Sequence, residues 1–125
     1  MRLLDSNIVI YAAQPSNAWL RTEMLSQPFA ISQATRVEVL GWHRITTEDL
    51  QDLQTFLSAG TLFSITDTIA GRAVELRQQK KMSLGDAFIA ATALEFNCEL
   101  ATRNIDDFEH IAGLRLANPF DQQAS

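Results

Sequence analysis

Three acidic residues stand in apolar surroundings, where an unpaired charge is costly. Asp5 lies inside "LLDSNIVIY" (residues 3–11), Glu38 in "TRVEVLG" (35–41) and Asp86 in "SLGDAFIAATAL" (83–94). A buried carboxylate needs a cation or several hydrogen-bond donors, because a bare buried charge costs many kcal/mol. Carboxylates a few ångströms apart repel by on the order of kcal/mol at moderate dielectric, so one of them takes a proton or a cation enters. With no paired Cys or His nearby, an all-oxygen set disfavours zinc and suits a hard divalent ion, Mg²⁺ or Mn²⁺.

Helical phase places two of these acids. At about 100° per residue, Asp86 points away from Thr92 and Glu95, taken as the wet face, and sits with Ile89, Ala90 and Ala93. Glu38 points away from Arg36, His43 and Arg44, toward Gly41, Trp42 and Ile45. Capping offers a competing explanation. Thr35–Glu38 and Ser83–Asp86 both fit the box in which a hydroxyl and an acid three residues later satisfy orphan amides, and Asp5 can cap the turn that follows it. Capping accounts for each acid singly. It does not account for one acid at a strand end and two inward acids at helix starts on the same sheet edge.

The elements that must position these residues read as follows. Strands are expected at 2–5, 29–32, 61–65, 98–102 and 114–117. Helices are expected at 7–13 (ended by Pro15), 16–27 (Ser16 as N-cap), 35–45, 46–60 (Thr46 as cap, Gly60 closing), 67–81 (Asp67 as cap) and 83–97, with one or two helical turns at 105–111. Short apolar strands alternating with helices predict an α/β/α sandwich around a short, mainly parallel sheet. Sites in such sheets lie beyond the carboxyl ends of the strands. Asp5 ends the first strand there, and Asn104, Asp106 and Asp107 follow the fourth.

The 125 residues fit one domain spanning 1–125, and 46% hydrophobic with 20% charged residues excludes disordered and fibrous classes. No apolar run approaches the roughly 20 residues of a membrane span, and the N-terminus lacks a signal-peptide pattern. The single Cys98 forms no internal disulfide, which fits a cytoplasmic protein. A net charge of −5 argues against a nucleic-acid partner unless the acids hold metal. Arg72, Arg77, Lys80 and Lys81 form either a local basic patch or a solvated helix face.

"LLDSNIVIY", "TRVEVLG", "SLGDAFIAATAL" and "LATRNIDDF", in that order and over nearly the whole chain, resemble the PIN-domain nucleases, and among them the VapC-type toxins of toxin–antitoxin pairs. The resemblance implies a PIN-like fold and a metal-dependent endoribonuclease using Mg²⁺ or Mn²⁺. It matches Asp5, Glu38 and Asp86 to the first three metal acids. Asp107, ahead of Asp106, matches a fourth acid, while Asn104 stands where some members carry an acid. Ser6 and Thr102 are implied as supporting hydroxyls, with Asn104 as a neutral orienting group. Arg103 is a phosphate or carboxylate partner, or else a surface arginine. The implied partners are RNA, a cognate VapB-like antitoxin and a second copy of the chain as a homodimer. The antitoxin's groove would be lined by Trp19, Leu20 and Leu25, or by Trp42.

Receiver domains and Asp-nucleophile phosphatases also end a first strand in Asp, but want an acidic neighbour, or a second acid two residues on; this chain has "RLLDSN". The alternative kept open is a PIN-like module that binds antitoxin or RNA without cutting, favoured by Asn104.

Overall fold

Leu3 and Leu4 are neighbours on one strand, and both are fully buried. Successive side chains point to opposite faces of a strand, so this strand is covered on both sides. The computed structural model describes residues 1–123. It contains one five-stranded sheet of β1 (Arg2–Leu4), β2 (Phe29–Ser32), β3 (Thr61–Phe63), β4 (Glu99–Ala101) and β5 (Leu116–Ala117). All four pairings are parallel, and the order is β3-β2-β1-β4-β5.

Helices cover both faces, which confirms the expected α/β/α arrangement. They are α1 (Ser6–Ala12), α2 (Ala18–Leu25), α3 (Gln33–Leu40), α4 (Thr47–Ser58), α5 (Asp67–Gln79), α6 (Leu84–Glu95), α7 (Ile105–Phe108) and α8 (Pro119–Gln123). Leu3, Ala30 and Leu100 face a core with Ile69, Ala90 and Phe108 from α5, α6 and α7. Leu4, Ile31 and Ala101 face the other core, with Ile8, Met24 and Phe56 from α1, α2 and α4. Helix α3 joins the two, giving Ala34 to the first and Val39 to the second. Among the described residues no helix is long and apolar enough to cross a membrane.

The chain runs outward from β1 through β2 to β3, then returns to the other side of β1 as β4. The strand order therefore reverses between β1 and β4, and a crevice opens at such a switch point. Asp5 and Thr102 leave the carboxyl ends of these two strands.

Several expected boundaries move for local reasons. The N-cap of α3 is Ser32, whose Oγ accepts the Ala34 amide at 3.1 Å, so the helix begins two residues early. Thr35 is consequently fully buried inside it and caps nothing. The helix stops at Leu40, and Trp42, His43, Arg44 and Ile45 lie outside it. The phase drawn through 42–45 for Glu38 therefore fails. Arg36, Val37 and Glu38 are all exposed. Pro15–Asn17 form a 3₁₀ turn, so α2 starts at Ala18 and Ser16 is not its cap. Thr66, not Asp67, caps α5 through a 3.2 Å bond from the Ile69 amide. Thr92 is fully buried instead of marking a wet face; its hydroxyl donates to the Phe88 carbonyl at 2.7 Å. An intrahelical bond of that kind hides a hydroxyl in a core. Thr46 does cap α4, accepting the Asp49 amide at 3.0 Å.

Candidate metal and active site

The strand β1 ends at Leu4, and the next residue turns the chain into α1. Asp5 is extended, with φ −67° and ψ 156°, and only 4% exposed. Its backbone N–H still donates to the Ala101 carbonyl at 2.9 Å, which ties it to β4. One carboxylate oxygen, Oδ1, accepts the Ser6 amide at 2.8 Å. The other, Oδ2, accepts the Thr102 hydroxyl at 2.7 Å. Thr102 Oγ1 in turn accepts the Asn104 amide at 3.0 Å, so the buried threonine bridges Asp5 to the loop after β4. The capping reading of Asp5 is thus correct as far as Ser6. It is insufficient for the charge. Burial pushes the Asp5 carboxyl from 3.8 up to about 6. The Thr102 and Ser6 hydrogen bonds oppose that rise, while the charges of Asp86 and Glu38 add to it.

Glu38 reaches the same place from α3. Its Oε1 accepts the Ser6 hydroxyl at 3.0 Å. Its carboxylate also lies flat against the first turn of α6: a Cβ on Gly85 would meet the two Glu38 oxygens at 2.7 and 2.9 Å. Gly85 therefore leaves room for the carboxylate. Nothing in the spacing of the acids pointed to this residue. Its only sequence signal was a glycine in the first turn of a helix, directly before an acid.

Asp86 is half-buried, and its amide donates to Ser83 Oγ at 3.1 Å, so half of the capping box is real. Burial, then the charges of Asp107 and Glu38, raise its pKa; Ser83 opposes them. Asp86, Asp106 and Asp107 share a cleft of about 430 Å³ with Lys80, Lys81, Met82 and Ser83. Asp5, Glu38, Asp86 and Asp107 thus lie in one electrostatic field, although they come from four separate segments. Asp107, not Asp106, is the residue whose charge reaches Asp86.

Among the described residues the ion pairs are Arg2–Glu23 and Arg72–Glu95, so none of the four acids is neutralised by one. Nor do any three His, Cys, Asp or Glu among the described residues stand at ready metal-ligating spacing. Mutually repelling carboxylates favour separation. By chemistry the donor set fits a hard divalent cation: every group is oxygen, and the buried Asp5 carboxylate faces no cationic side chain among the described residues.

The basic cluster divides. Arg72 Nε pairs with Glu95 at 2.8 Å, and Arg77 Nε donates to the Met82 carbonyl at 3.3 Å. Those two are structural. Lys80 and Lys81 line the acid cleft. Arg103 is exposed and its guanidinium carbon lies 4.1 Å from the Phe120 ring centroid and 5.1 Å from that of Tyr11.

A second cleft, of about 520 Å³, opens beside Glu38. Ile10, Val39, Trp42, Ile45 and Leu53 form its apolar lining, and Glu38, Asp49 and Asp52 supply carboxylates. Of the expected groove residues only Trp42 lies here. Leu20 is fully buried, and Trp19 packs edge-on against Phe120. Leu25 is exposed but does not line this cleft.

Comparison with known proteins gives concordant results. Residues 2–114 match the family described as PIN domain. A ribonuclease VapC10 of Mycobacterium tuberculosis is 30% identical over a 116-residue alignment that covers 86% of each chain. Among solved structures, a toxin–antitoxin complex from Klebsiella pneumoniae contains a chain 34% identical to this one, with a TM-score of 0.78 over 95% of this chain and 98% of that one. VapBC2 from Rickettsia felis, bound to a DNA fragment of its promoter, contains one 26% identical, with a TM-score of 0.79 over 94% and 97%.

Proposed function

Because the chain belongs to the PIN domain family, we propose that it is a VapC-type toxin: a Mg²⁺- or Mn²⁺-dependent endoribonuclease restrained by a cognate antitoxin. The observation that carries this reading is Asp5. It is a buried carboxylate at the switch point of the sheet, raised to about 6, sharing its field with Glu38 and Asp86 and facing no basic partner among the described residues.

Asp5, Glu38 and Asp86 would hold the ion, with Asp107 completing the set from the cleft wall. A bound divalent ion supplies an activated water and stabilises charge developing on the phosphate. The chain's own groups do the rest. Thr102 and Ser6 fix the Asp5 carboxylate through its two oxygens, and Ser6 also fixes Glu38. Each Asp5 oxygen accepts one hydrogen bond and keeps a lone pair for the ion, while the half-buried Asp86 is the acid we assign to accept the proton of the attacking water. Its raised pKa suits that role. The Asn104 backbone N–H anchors the loop by donating to Thr102 Oγ1. Arg103, Lys80 and Lys81 supply local positive charge for the RNA phosphates in a chain whose net charge is −5.

The antitoxin reading draws on the second cleft. Apolar side chains beside Asp49, Asp52 and Glu38 suit a partner segment that combines apolar and basic residues. Since Glu38 lines this cleft and its charge also acts on Asp5 and Asp86, a basic side chain seated there would compete with metal.

The test is cleavage of RNA by purified protein with Mn²⁺ or with EDTA. Asp5→Asn and Asp86→Asn should each abolish cleavage while circular dichroism stays native. Full cleavage by either variant overturns the assignment. A protein that binds RNA but does not cut it, and whose melting temperature ignores Mn²⁺, is the non-cutting module favoured by Asn104.

A further inference from the structure

Arg103 is held in an unusual way. Strand β5 lies against the end of β4, where the Thr102 amide donates to the Ala117 carbonyl at 3.0 Å. That contact returns the chain to the site and starts α8, with Asn118 Oδ1 accepting the Phe120 amide at 3.0 Å. Phe120 then sits on Arg103 at 4.1 Å, with Tyr11 of α1 at 5.1 Å. The aromatic rings brace one another: Tyr11 meets Phe120 at 5.5 Å and 76°, and Trp19 meets Phe120 at 5.2 Å and 88°. The Arg103 amide lies 3.5 Å from Asn7 Oδ1. One exposed arginine is thus gripped by residues of α1 and α8 and backed by α2.

Among the described residues the guanidinium donates to no side-chain or backbone acceptor, and no carboxylate lies within ion-pair distance. Aromatic contact occupies its face, while its N–H edge is left for an acceptor. A guanidinium so restrained has lost much of its freedom before binding, and its fork matches phosphate. Its immediate neighbour is Thr102, which holds Asp5.

We propose that Phe120, together with Tyr11, is a positioning residue that presents Arg103 to an RNA phosphate next to the acid cluster. This rests on the nuclease reading above. It extends that reading past residue 114, where the family match ends, and makes α8 part of the substrate site. It also specifies what is read. A contact to phosphate positions the strand without carrying base information, so losing it should weaken all RNA sequences alike. An acidic peptide would use the same fork, but the adjoining carboxylates repel it as they would RNA lacking bound metal, and only a nucleic acid strand has a reason to lie across them.

The experiment is a double-mutant cycle. Binding of fluorescent single-stranded phosphorothioate RNAs of three unrelated sequences, which resist hydrolysis, is followed by anisotropy in Mn²⁺, in full-length protein with its acid cluster intact. KM and kcat are measured on unmodified RNA. Phe120→Ala should weaken binding roughly five- to tenfold, as expected for losing a partly desolvated cation–π support. Phe120→Leu, which keeps the apolar packing, should show most of that loss, and Phe120→Tyr should restore binding. In an Arg103→Ala background, Phe120→Leu should have no further effect. The slope of log affinity against log salt should shrink by about 0.7 in Arg103→Ala. The loss should appear in KM, with kcat little changed. Independent, additive effects of the two substitutions overturn the proposal, as does normal binding by Phe120→Leu. If the unsubstituted protein neither binds nor cuts any RNA, the nuclease reading fails and takes this proposal with it. If it cuts normally while Phe120→Leu binds normally, only the clasp fails.

Discussion

Removing the charge at Asp5 should abolish cleavage and, without added metal, make the protein more stable. The argument is one of linkage. Asp5 is 4% exposed, and its folded carboxyl titrates at about 6 against 3.8 for the ordinary group. A carboxyl whose folded pKa is raised favours folding while protonated. That advantage is fully present below 3.8 and is lost as pH rises through about 6. Above pH 7 the ionised group costs the fold about 3 kcal/mol relative to the protonated one. Asp5→Asn removes that cost. Its side-chain oxygen can still accept the Ser6 amide, and its amide can donate to Thr102 Oγ1. The Thr102 hydroxyl then lacks its acceptor, a loss of about 1 kcal/mol. The net gain at pH 8 is about 2 kcal/mol, or a rise in melting temperature of roughly 5–10 °C for a chain of this length. By pH 4.5 the cost in the unsubstituted protein has fallen to about 1 kcal/mol, so the gain disappears. Thermal melts of both proteins in EDTA at pH 8 and pH 4.5 read this directly. Adding Mn²⁺ at pH 8 should raise the unsubstituted protein and leave Asp5→Asn nearly unmoved. The reasoning is refuted if Asp5→Asn melts lower at pH 8, or if its advantage does not shrink toward acid.

Three further outcomes are expected. Gly85→Ala should cost most of the cleavage activity at unchanged or slightly higher melting temperature, because the added Cβ meets the Glu38 carboxylate at 2.7–2.9 Å while alanine favours the helix; native cleavage by this variant would place Glu38 outside the reaction. Lys80→Ala with Lys81→Ala should lower the salt slope of RNA binding by about 1.4 and spare the fold, as expected for two phosphate contacts on a single strand. Asp86→Asn should lose most of the Mn²⁺-dependent rise in melting temperature seen in the unsubstituted protein, which a fluorescence melt with and without the ion would show.

The site was partly legible in the chain. Asp5 could be recognised because a charge inside "LLDSNIVIY" breaks a strand pattern that needs no partner to be read. Asp86 follows from a helix phase anchored on Thr92 and Glu95, and only half of that anchor holds: Glu95 is exposed, whereas Thr92 is buried within the run Ile89–Ala93 and hidden by its bond to Phe88. Glu38 was reached through a phase extended over 42–45, although α3 ends at Leu40. Periodicity assumes that a helix continues and has one wet side. A central helix and an early stop violate those assumptions, and neither is written locally. The same holds for the antitoxin groove, where Trp42 is at the cleft and Trp19 supports α8 instead.

What the sequence determined by itself was the alternation of short apolar strands with helices, hence a parallel sheet covered on both faces, and the acids at its carboxyl edge. Those follow from burial and from hydrogen bonding between near neighbours. What only the tertiary structure decided was which groups meet. Asp5 joins Thr102 across 97 positions and Ser6 joins Glu38 across 32. Gly85 makes room for Glu38, and Phe120 closes on Arg103. Such meetings depend on strand order and on how α3, α6 and α8 dock. Docking is set by packing summed over the whole core, which no short stretch of residues encodes.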